Sequence, residues 1–488
     1  MTERRPWADR LTGFGLKARP GLPTYGLVEW LFIKLLGLVY FIAFASLGTQ
    51  IAGLVGSQGI LPVGDYLRVV HQRLGAQGYR LVPTLFWLNS SNAALKLACV
   101  AGALLALILM AGYARRPILI ALFVLYLSLV HAGQVFLAYQ WDNLLLEAGF
   151  LAIFLRAAPV VVWLYRWLLF RLMLMSGAVK LLSGDPTWRN LTALNYHYET
   201  QPLPTPLAWV MHQLPPGFQE FSALMVFFVE LVVPFLIFGP RRLRFFAALA
   251  TVFLQTLIFL TGNYSFFNLL TVALCIFLLD DQALRHLLPA RLVRAALSSA
   301  KERHVSGAGR WIAAVLAATI LLVSGFQLIG FFGGPLPRPA QRTLTWLAPF
   351  RSINTYGLFA VMTTRRPEII IEGSNDRQTW LAYEFRYKPG EVKRSPPWVA
   401  PHQPRLDWQM WFAALGAPDG WLANLMLRLQ QGSPDVLALL GTNPFPDAPP
   451  RYLRALVYDY HFTDFVTLRA EGDWWRRQLM GIYSFAIP

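Results

Sequence analysis

The sequence is short of charge. Only 14% of its 488 residues are Asp, Glu, Lys or Arg, against roughly 25% in a typical soluble domain, and 56% are hydrophobic. This deficit excludes two or three ordinary soluble domains and indicates a membrane protein. The net charge of +17 comes from short basic clusters between apolar runs, without the long basic tract typical of nucleic-acid binding. We therefore predict no nucleic-acid partner.

Cysteine is almost absent. Cys99 and Cys275 both lie inside apolar segments, where a thiol behaves as a small hydrophobic group. They lack the spacing of a disulfide framework or a zinc site, so we predict neither disulfides nor a metal. The sequence also lacks phosphate-binding, dinucleotide-binding and nucleophile-elbow motifs. Hydrolases, kinases and nicotinamide enzymes lose support together, and we predict no cofactor.

Long apolar runs are the main feature that is present. A helix needs about 20 apolar residues to cross a hydrocarbon core of about 30 Å. Residues 144–182 are apolar but contain Arg156, Pro159, Arg166 and Arg171, and we divide them into two spans. About nine spans result, the first of which is too long for a cleavable signal peptide. The first span is 27–55, and the other clear apolar runs are 93–113, 118–139, 221–238, 245–260, 266–279 and 311–332.

The basic clusters predict the topology, because cytoplasmic loops carry an excess of Lys and Arg. With nine spans, all the clusters fall on one side of the membrane. We therefore expect the N-terminal segment 1–26 to be cytoplasmic and everything after residue 332 to lie outside. The clusters are at 4–19, 115–116, 156–166, 241–244 and 285–310.

Two exterior segments contain more structure than connectors need. The loop 183–220 is aromatic and proline-rich and is expected to lie on the membrane surface. In the tail, 333–488, alternating runs at 368–372 and 379–387 flank a turn, and 453–462 predicts a further strand. Residues 409–431 favour helix, ended by the prolines of 444–450. The predicted fold is a multi-pass α-helical membrane domain, 27–332, with a C-terminal extramembrane mixed α/β, largely β, domain, 333–488.

Ionisable residues at membrane depth are functional candidates, because burying an unpaired charge is costly. Pro234 follows Glu230 by four residues and has no N–H group, so the Glu230 carbonyl lacks its usual hydrogen-bond donor in the helix. A purely structural alternative is that Glu147 or Glu230 pairs with Arg171 and fixes helix packing. Lys180 and Asp142 lie near enough to helix ends to extend to the interface. The candidates at membrane depth are Asp142, Glu147, Arg171, Lys180 and Glu230.

The exterior loop adds Asp185, His197 and Glu199 to the candidates. In an extended conformation His197 and Glu199 project from one side, a spacing that suits an acid–base pair or a metal. The alternative is an aromatic loop stabilised by a hydrogen-bonded histidine.

The tail contains an unusual density of distinctive side chains at 401–411. A pair between Arg405 and Asp407, flanked by Trp408 and Trp411, suits a binding surface, because Trp and Arg are favoured interface anchors. The alternative is a structural ion pair beneath aromatic core residues. We expect the loop and the tail to pack together into one surface above the membrane. The binding candidates are Trp188, Tyr196, Tyr198, Trp209, His402, Arg405, Asp407, Trp408 and Trp411.

Three long strings closely resemble the lipase maturation factor family. They are residues 134–150 (QVFLAYQWDNLLLEAGF), residues 166–204 (RWLLFRLMLMSGAVKLLSGDPTWRNLTALNYHYETQPLP), and residues 354–363 with 401–415 (NTYGLFAVMT and PHQPRLDWQMWFAAL). In animals such proteins lie in the endoplasmic reticulum membrane and help secreted lipases to reach an active, assembled state. The resemblance implies a membrane-embedded, chaperone-like maturation factor, with membrane lipids and an exported client, such as a lipase, as partners.

Two departures limit what the resemblance implies. The chain is rich in Arg, Ala and Pro, poor in Cys, and lacks a C-terminal retention signal, so we expect a bacterial cytoplasmic membrane. A bacterium does not possess the vertebrate lipases, and without an exterior cysteine the chain cannot itself exchange disulfides. The client is therefore expected to differ.

Two other functions are weighed against a maturation factor. An integral membrane enzyme would combine Asp142, Glu147, Arg171 and the His197 loop at the exterior face. The helix layout is loosely similar to that of vitamin K-dependent carboxylase relatives, which favours this alternative. A transporter would need two related halves with broken helices, and no internal symmetry is visible.

Overall fold

The computed structural model describes residues 24–113, 115–155, 158–299, 307–416 and 420–483. Nearly all of the predicted cytoplasmic segment 1–26 lies outside these ranges, as do Arg156 and part of the basic cluster 285–310. Within the described ranges, a helical bundle carries a C-terminal domain of helices and antiparallel strands. The predicted fold class is confirmed.

Helices occupy all nine positions that the apolar runs predict, and shorter helices fill the loops between them. In chain order they are α1 Gly26–Gly48, α2 Ile51–Val55, α3 Val63–Leu74, α4 Gln77–Leu81, α5 Asn92–Ala111, α6 Arg115–Ala132, α7 Gln140–Phe154, α8 Val160–Leu182, α9 Pro186–Arg189, α10 Ala193–Thr200, α11 Pro206–His212, α12 Pro216–Phe227, α13 Val233–Leu236, α14 Arg241–Thr261, α15 Phe267–Cys275, α16 Asp281–Leu287, α17 Ala290–Ser299, α18 Gly307–Phe331 and α19 Arg338–Leu347.

The count of full-length spans differs from the prediction of nine. Among the described residues, seven helices are long and apolar enough to cross a membrane, and a bent pair built from α15 and α16 brings the number to eight. Helix α7 has only 15 residues, about 22 Å of rise. Its N-terminal end is covered by protein instead of reaching water, since Asp142 in its first turn is fully buried.

The ends of the helices gather on two faces of the bundle. At one face Arg166 donates to the Tyr25 hydroxyl at 2.8 Å, and Arg241 pairs with Asp280 at 2.7 Å. At the other face the C-terminal domain is attached to the end of α1, where Ser46 accepts the Gln403 N–H at 2.9 Å. The described basic clusters around Arg166 and Arg241 therefore lie at the end opposite the C-terminal domain.

The exterior loop is helical instead of extended. Three short helices, α9 to α11, fill it, and α12 begins at its end. Asp185 begins α9 by accepting the Thr187 N–H, and Thr205 begins α11 by accepting the Ala208 N–H. Pro186, Pro206 and Pro216 occupy first-turn positions of α9, α11 and α12, where the missing N–H costs nothing.

The C-terminal domain is built on a four-stranded antiparallel sheet in the order β2-β1-β5-β6. Strand β1 pairs with β5 over its whole length, and Ile369, Ile370 and Ile371 are all buried, so both faces of the strand are covered instead of the single face that an alternating pattern predicts. The predicted strand 379–387 is divided into β2 and β3, and β6 was not predicted. The elements are β1 Pro367–Ser374, β2 Leu381–Ala382, β3 Glu384–Phe385, α20 Arg405–Ala414, α21 Trp421–Gln430, α22 Pro434–Leu437, β4 Leu440–Thr442, β5 Tyr452–Phe462, α23 Phe465–Glu471 and β6 Trp475–Ile482.

Candidate functional site

An ion pair between Arg405 and Asp142 joins the C-terminal domain to the bundle. The Arg405 guanidinium donates to both carboxylate oxygens, at 2.8 and 2.9 Å, and to the Phe136 carbonyl at 2.7 Å. The Tyr126 hydroxyl donates to the same carboxylate at 2.5 Å. All the charged atoms are removed from solvent. A bidentate pair with satisfied neighbours is a rigid structural joint.

The predicted pair between Arg405 and Asp407 does not form. Both residues lie in the first turn of α20, where positions i and i+2 point about 200° apart. Asp407 instead accepts the backbone N–H groups of Tyr387 and Lys388, at 2.8 and 2.9 Å. It therefore orders the loop after β3, and its burial raises its pKa.

Glu147 and Arg171 form a second buried ion pair, which confirms that one of the two membrane glutamates pairs with this arginine. Residues of the tail complete it. The other Glu147 oxygen accepts the Asn354 N–H and the Tyr356 hydroxyl, both at 2.8 Å, and Arg171 donates to the Asn354 carbonyl at 2.9 Å. The bundle interior and the tail therefore share one hydrogen-bond network.

Glu230 pairs with Lys180 at 2.6 Å. The Lys180 ammonium also donates to the Ser176 carbonyl and lies 5.3 Å from the centre of the Trp188 ring. Gly177 on α8 allows a close approach of the π-helical turn Phe228–Val232, which lies between α12 and α13, since a Cβ at Gly177 would lie 2.8 Å from the Glu230 Cβ. The expectation that Lys180 extends to the interface is wrong, because a buried partner holds it. The same expectation is wrong for Asp142.

His197 and Glu199 point in different directions, because both lie on helix α10 instead of an extended segment. His197 packs edge-on against Phe359, and its Nε2 lies 3.4 Å from the Tyr264 hydroxyl. Burial, with the nearby Lys180 charge, lowers the pKa of His197 to about 4. It is therefore neutral at physiological pH and forms no acid–base pair with Glu199.

Glu199 connects the loop to the sheet. Its carboxylate accepts the Phe462 N–H at 2.9 Å and lies 3.2 Å from Nδ1 of His461. Arg366, fully buried before β1, donates to the Glu199 carbonyl at 2.5 Å and pairs with Glu368 at 2.8 Å. These contacts attach α10 to β5 and β1, so the loop and the tail form one body, as predicted.

The predicted binding aromatics lie mainly inside this body. Trp408 packs against Trp141, with ring centroids 4.9 Å apart. The indole N–H groups of Trp411 and Trp188 donate to the carbonyls of Thr200 and Phe359. Tyr196 and His402 are half-buried. In this arrangement, side chains without exposed area cannot contact a client. The buried members are Trp188, Tyr198, Trp209, Arg405, Asp407, Trp408 and Trp411.

The candidate carboxylates do not converge on a common cavity. Asp142, Glu147 and Glu230 each have their own cation, and Asp185 accepts the Met362 N–H at 2.5 Å besides beginning α9. Within the described ranges, no group of three or more His, Cys, Asp or Glu side chains has the arrangement of a metal site. The described geometry gives the enzyme alternative no assembled set of reacting groups.

Several important residues were not identified from the sequence. Asn263 is one: its amide oxygen accepts the N–H groups of Val399 and Ala400, and its NH₂ donates to the Pro397 carbonyl. A polar residue directly after an apolar span was its only signal. Asn354 and Tyr356 lie in a string quoted above, but nothing local indicates that their partner is Glu147.

The fold and the buried ion pairs together define a multi-pass membrane protein whose C-terminal domain is fixed to its helical bundle. Residues 27–286 match the family model described as the lipase maturation factor transmembrane domain, and residues 352–485 match the lipase maturation factor C-terminal domain. The chain belongs to the lipase maturation factor family.

Its relatives are similar over most of their length. The chain is 38% identical to lipase maturation factor 2 of Gallus gallus, covering 92% of this chain and 79% of the relative. It is 37% identical to lipase maturation factor 2 of Homo sapiens, over 92% and 81%. It is 36% identical to lipase maturation factor 1 of Bos taurus, over 98% and 92%. No solved structure matches the chain.

Proposed function

We propose that this chain is a membrane-embedded maturation factor for exported proteins, with a lipase as its client. The observation that carries the proposal is that both family domains match and are joined by buried ion pairs into one body. The curated relatives are named lipase maturation factors. Because the two parts form one unit, their shared exterior face is the place for a client.

The proposed orientation has the N-terminus in the cytoplasm and the C-terminal domain outside, in a bacterial cytoplasmic membrane. The Arg166 and Arg241 clusters at the opposite end of the bundle support this orientation. The two buried, unpaired cysteines suit a chain that takes no part in disulfide exchange. The client would be a lipase or another exported protein of the same cell.

The proposed client contact is strand β6 and the adjoining helix α23. β6 is an edge strand, so one side of its backbone has no neighbouring strand in the described sheet. An extended segment of a partly folded client would pair with this edge, and its apolar side chains would cover those exposed here. The exposed apolar residues are Phe465, Val466, Leu479, Met480 and Ile482.

Photocrosslinking tests the contact surface. A photoreactive residue at Leu479 should crosslink to a newly exported lipase but not to the same lipase after it has folded. Leu381 is the matched control, since it is also exposed and lies on the opposite edge of the same sheet. Equal crosslinking at both positions would contradict the β6 assignment.

Deletion of the chain tests the function itself. Cells without it should export a client lipase of unchanged amount but reduced specific activity, and an unrelated exported enzyme should keep its activity. Trp408→Ala should also reduce lipase activity by loosening the joint, since truncating a buried Trp costs about 3–5 kcal/mol. Unchanged lipase activity in the deletion strain would refute the proposed function.

A further inference from the structure

Three arginines line one groove at the bundle end that carries the C-terminal domain. Arg338 and Arg342 come from α19, and Arg80 comes from α4, far away in the sequence. Gln341, Thr345 and Trp346 complete the walls of a groove of about 510 Å³. Among the residues that the structure describes, no carboxylate lines it.

The three arginines have no acidic counter-charge in the described structure. None of them forms an ion pair among the described residues, whereas the buried Arg171 and Arg405 each pair with a carboxylate. The exposed Arg68, one helix away from Arg80, pairs with Asp65 at 3.1 Å. Like charges brought together from two remote segments repel each other and create a positive potential that attracts an anion.

The groove lies where lipid headgroups are expected. Helix α18 is a membrane-crossing helix that ends at Phe331, and α19 begins at Arg338. Phe332 and Trp346 expose about half of their surface, 51% and 55%. Tryptophan in this position is typical of the membrane–water interface. Arginines are also unusual on the side of the membrane that the other basic clusters avoid.

We propose that this groove binds the phosphate group of an anionic phospholipid from the adjoining leaflet. Guanidinium groups match phosphate oxygens with two parallel hydrogen bonds each, and three of them surround a volume of headgroup size. The Gln341 amide already donates to the Leu336 carbonyl and the Thr345 hydroxyl to the Gln341 carbonyl, so their side-chain oxygens would serve as acceptors for hydroxyl groups of the headgroup. Trp346 covers the boundary between the headgroup and the acyl chains. This inference does not depend on the maturation function.

Native mass spectrometry of the detergent-purified full chain tests the site with phosphatidylglycerol and phosphatidylcholine as probes. The wild type should retain phosphatidylglycerol preferentially, and the triple variant Arg80→Ala/Arg338→Ala/Arg342→Ala should bind it at least about tenfold more weakly. Phosphatidylcholine retention should not change. The matched control Arg73→Ala/Arg451→Ala/Arg469→Ala removes three exposed arginines outside the groove and should behave as the wild type.

A competition arm separates a lipid from a free anion. Millimolar inorganic phosphate or glycerol 3-phosphate should leave bound phosphatidylglycerol in place, because neither has acyl chains to contact Trp346. Displacement by either compound would overturn the lipid assignment. Equal phosphatidylglycerol binding by the groove variant and the control variant would overturn the site itself.

Discussion

Arg405 and Asp142 are 263 residues apart in the sequence, yet they form a buried bidentate ion pair. The arginine is the first residue of α20 and the aspartate lies in the first turn of α7. Because the tail supplies the partner of a charge in the bundle, neither part is complete alone. The protein is therefore expected to unfold as one cooperative unit.

Asp142→Asn should destabilise the whole protein. It leaves the Arg405 charge buried without its counter-ion, which typically costs about 3–5 kcal/mol. Chemical unfolding of the purified full chain in detergent measures the change. Asp65→Asn, which breaks the exposed pair with Arg68, should change the free energy of unfolding by at most about 1 kcal/mol. Equal effects of the two variants would show that the buried pair is not a joint.

Glu147→Gln distinguishes a structural from a catalytic carboxylate. The substitution removes the negative charge that pairs with the buried Arg171, so client activation and the free energy of unfolding should fall together. An enzyme would instead lose activity while keeping its stability. A variant that folds with unchanged stability but supports no lipase activation would therefore favour the enzyme alternative.

The free energy of unfolding of the protein should decrease in acid. Burial lowers the pKa of His197 and of His402 to about 4, compared with about 6.5 in the unfolded chain. Between those values the unfolded state binds more protons, so stability decreases as the pH falls from 6.5 to about 4.

Thermal unfolding across this pH range checks the histidine prediction. His197→Gln should reduce the slope by up to one proton, because glutamine does not titrate. An identical slope for the wild type and His197→Gln would contradict the prediction.

The orientation predicts the behaviour of a reporter fused after Pro488. A reporter that is active only in the cytoplasm should be silent there, because the proposed orientation has the opposite end of the bundle, with its basic clusters, in the cytoplasm. A fusion in the 285–310 loop should be active. Activity at Pro488 together with silence in the loop would invert the model of the membrane topology.

Local sequence patterns predicted the elements and one joint. Glu147, Glu230 and Arg171 lie within apolar helices, so the cost of an unpaired charge was enough to predict that one of the two glutamates pairs with the arginine, but not which one. The strands β1 and β5 are rich in β-branched, apolar and aromatic residues next to turn residues, and this composition identified them. Strand β6 was missed because Arg476 and Arg477 interrupt its alternation.

The pairing of side chains that are far apart in the sequence could mostly not be predicted. Asp407 is only two residues from Arg405 in the sequence, which made it the predicted partner. In the helix, however, the two side chains point in different directions. The contact of Glu199 with His461 likewise depends on how the loop docks on β5. A residue's type indicates that it needs a partner, but only the fold determines which distant residue that is.

The large separation between Asp142 and Arg405 also has a consequence in time. At roughly 5–20 residues per second, translation of the intervening chain takes on the order of tens of seconds. During this time the Asp142 carboxylate has no counter-ion, whereas Arg171 is already available to pair with Glu147. When α20 is synthesised, Arg405 neutralises the Asp142 carboxylate and covers the N-terminal end of α7. A nascent chain that stalled before Arg405 would thus leave the Asp142 carboxylate without its counter-ion and the first turn of α7 uncovered.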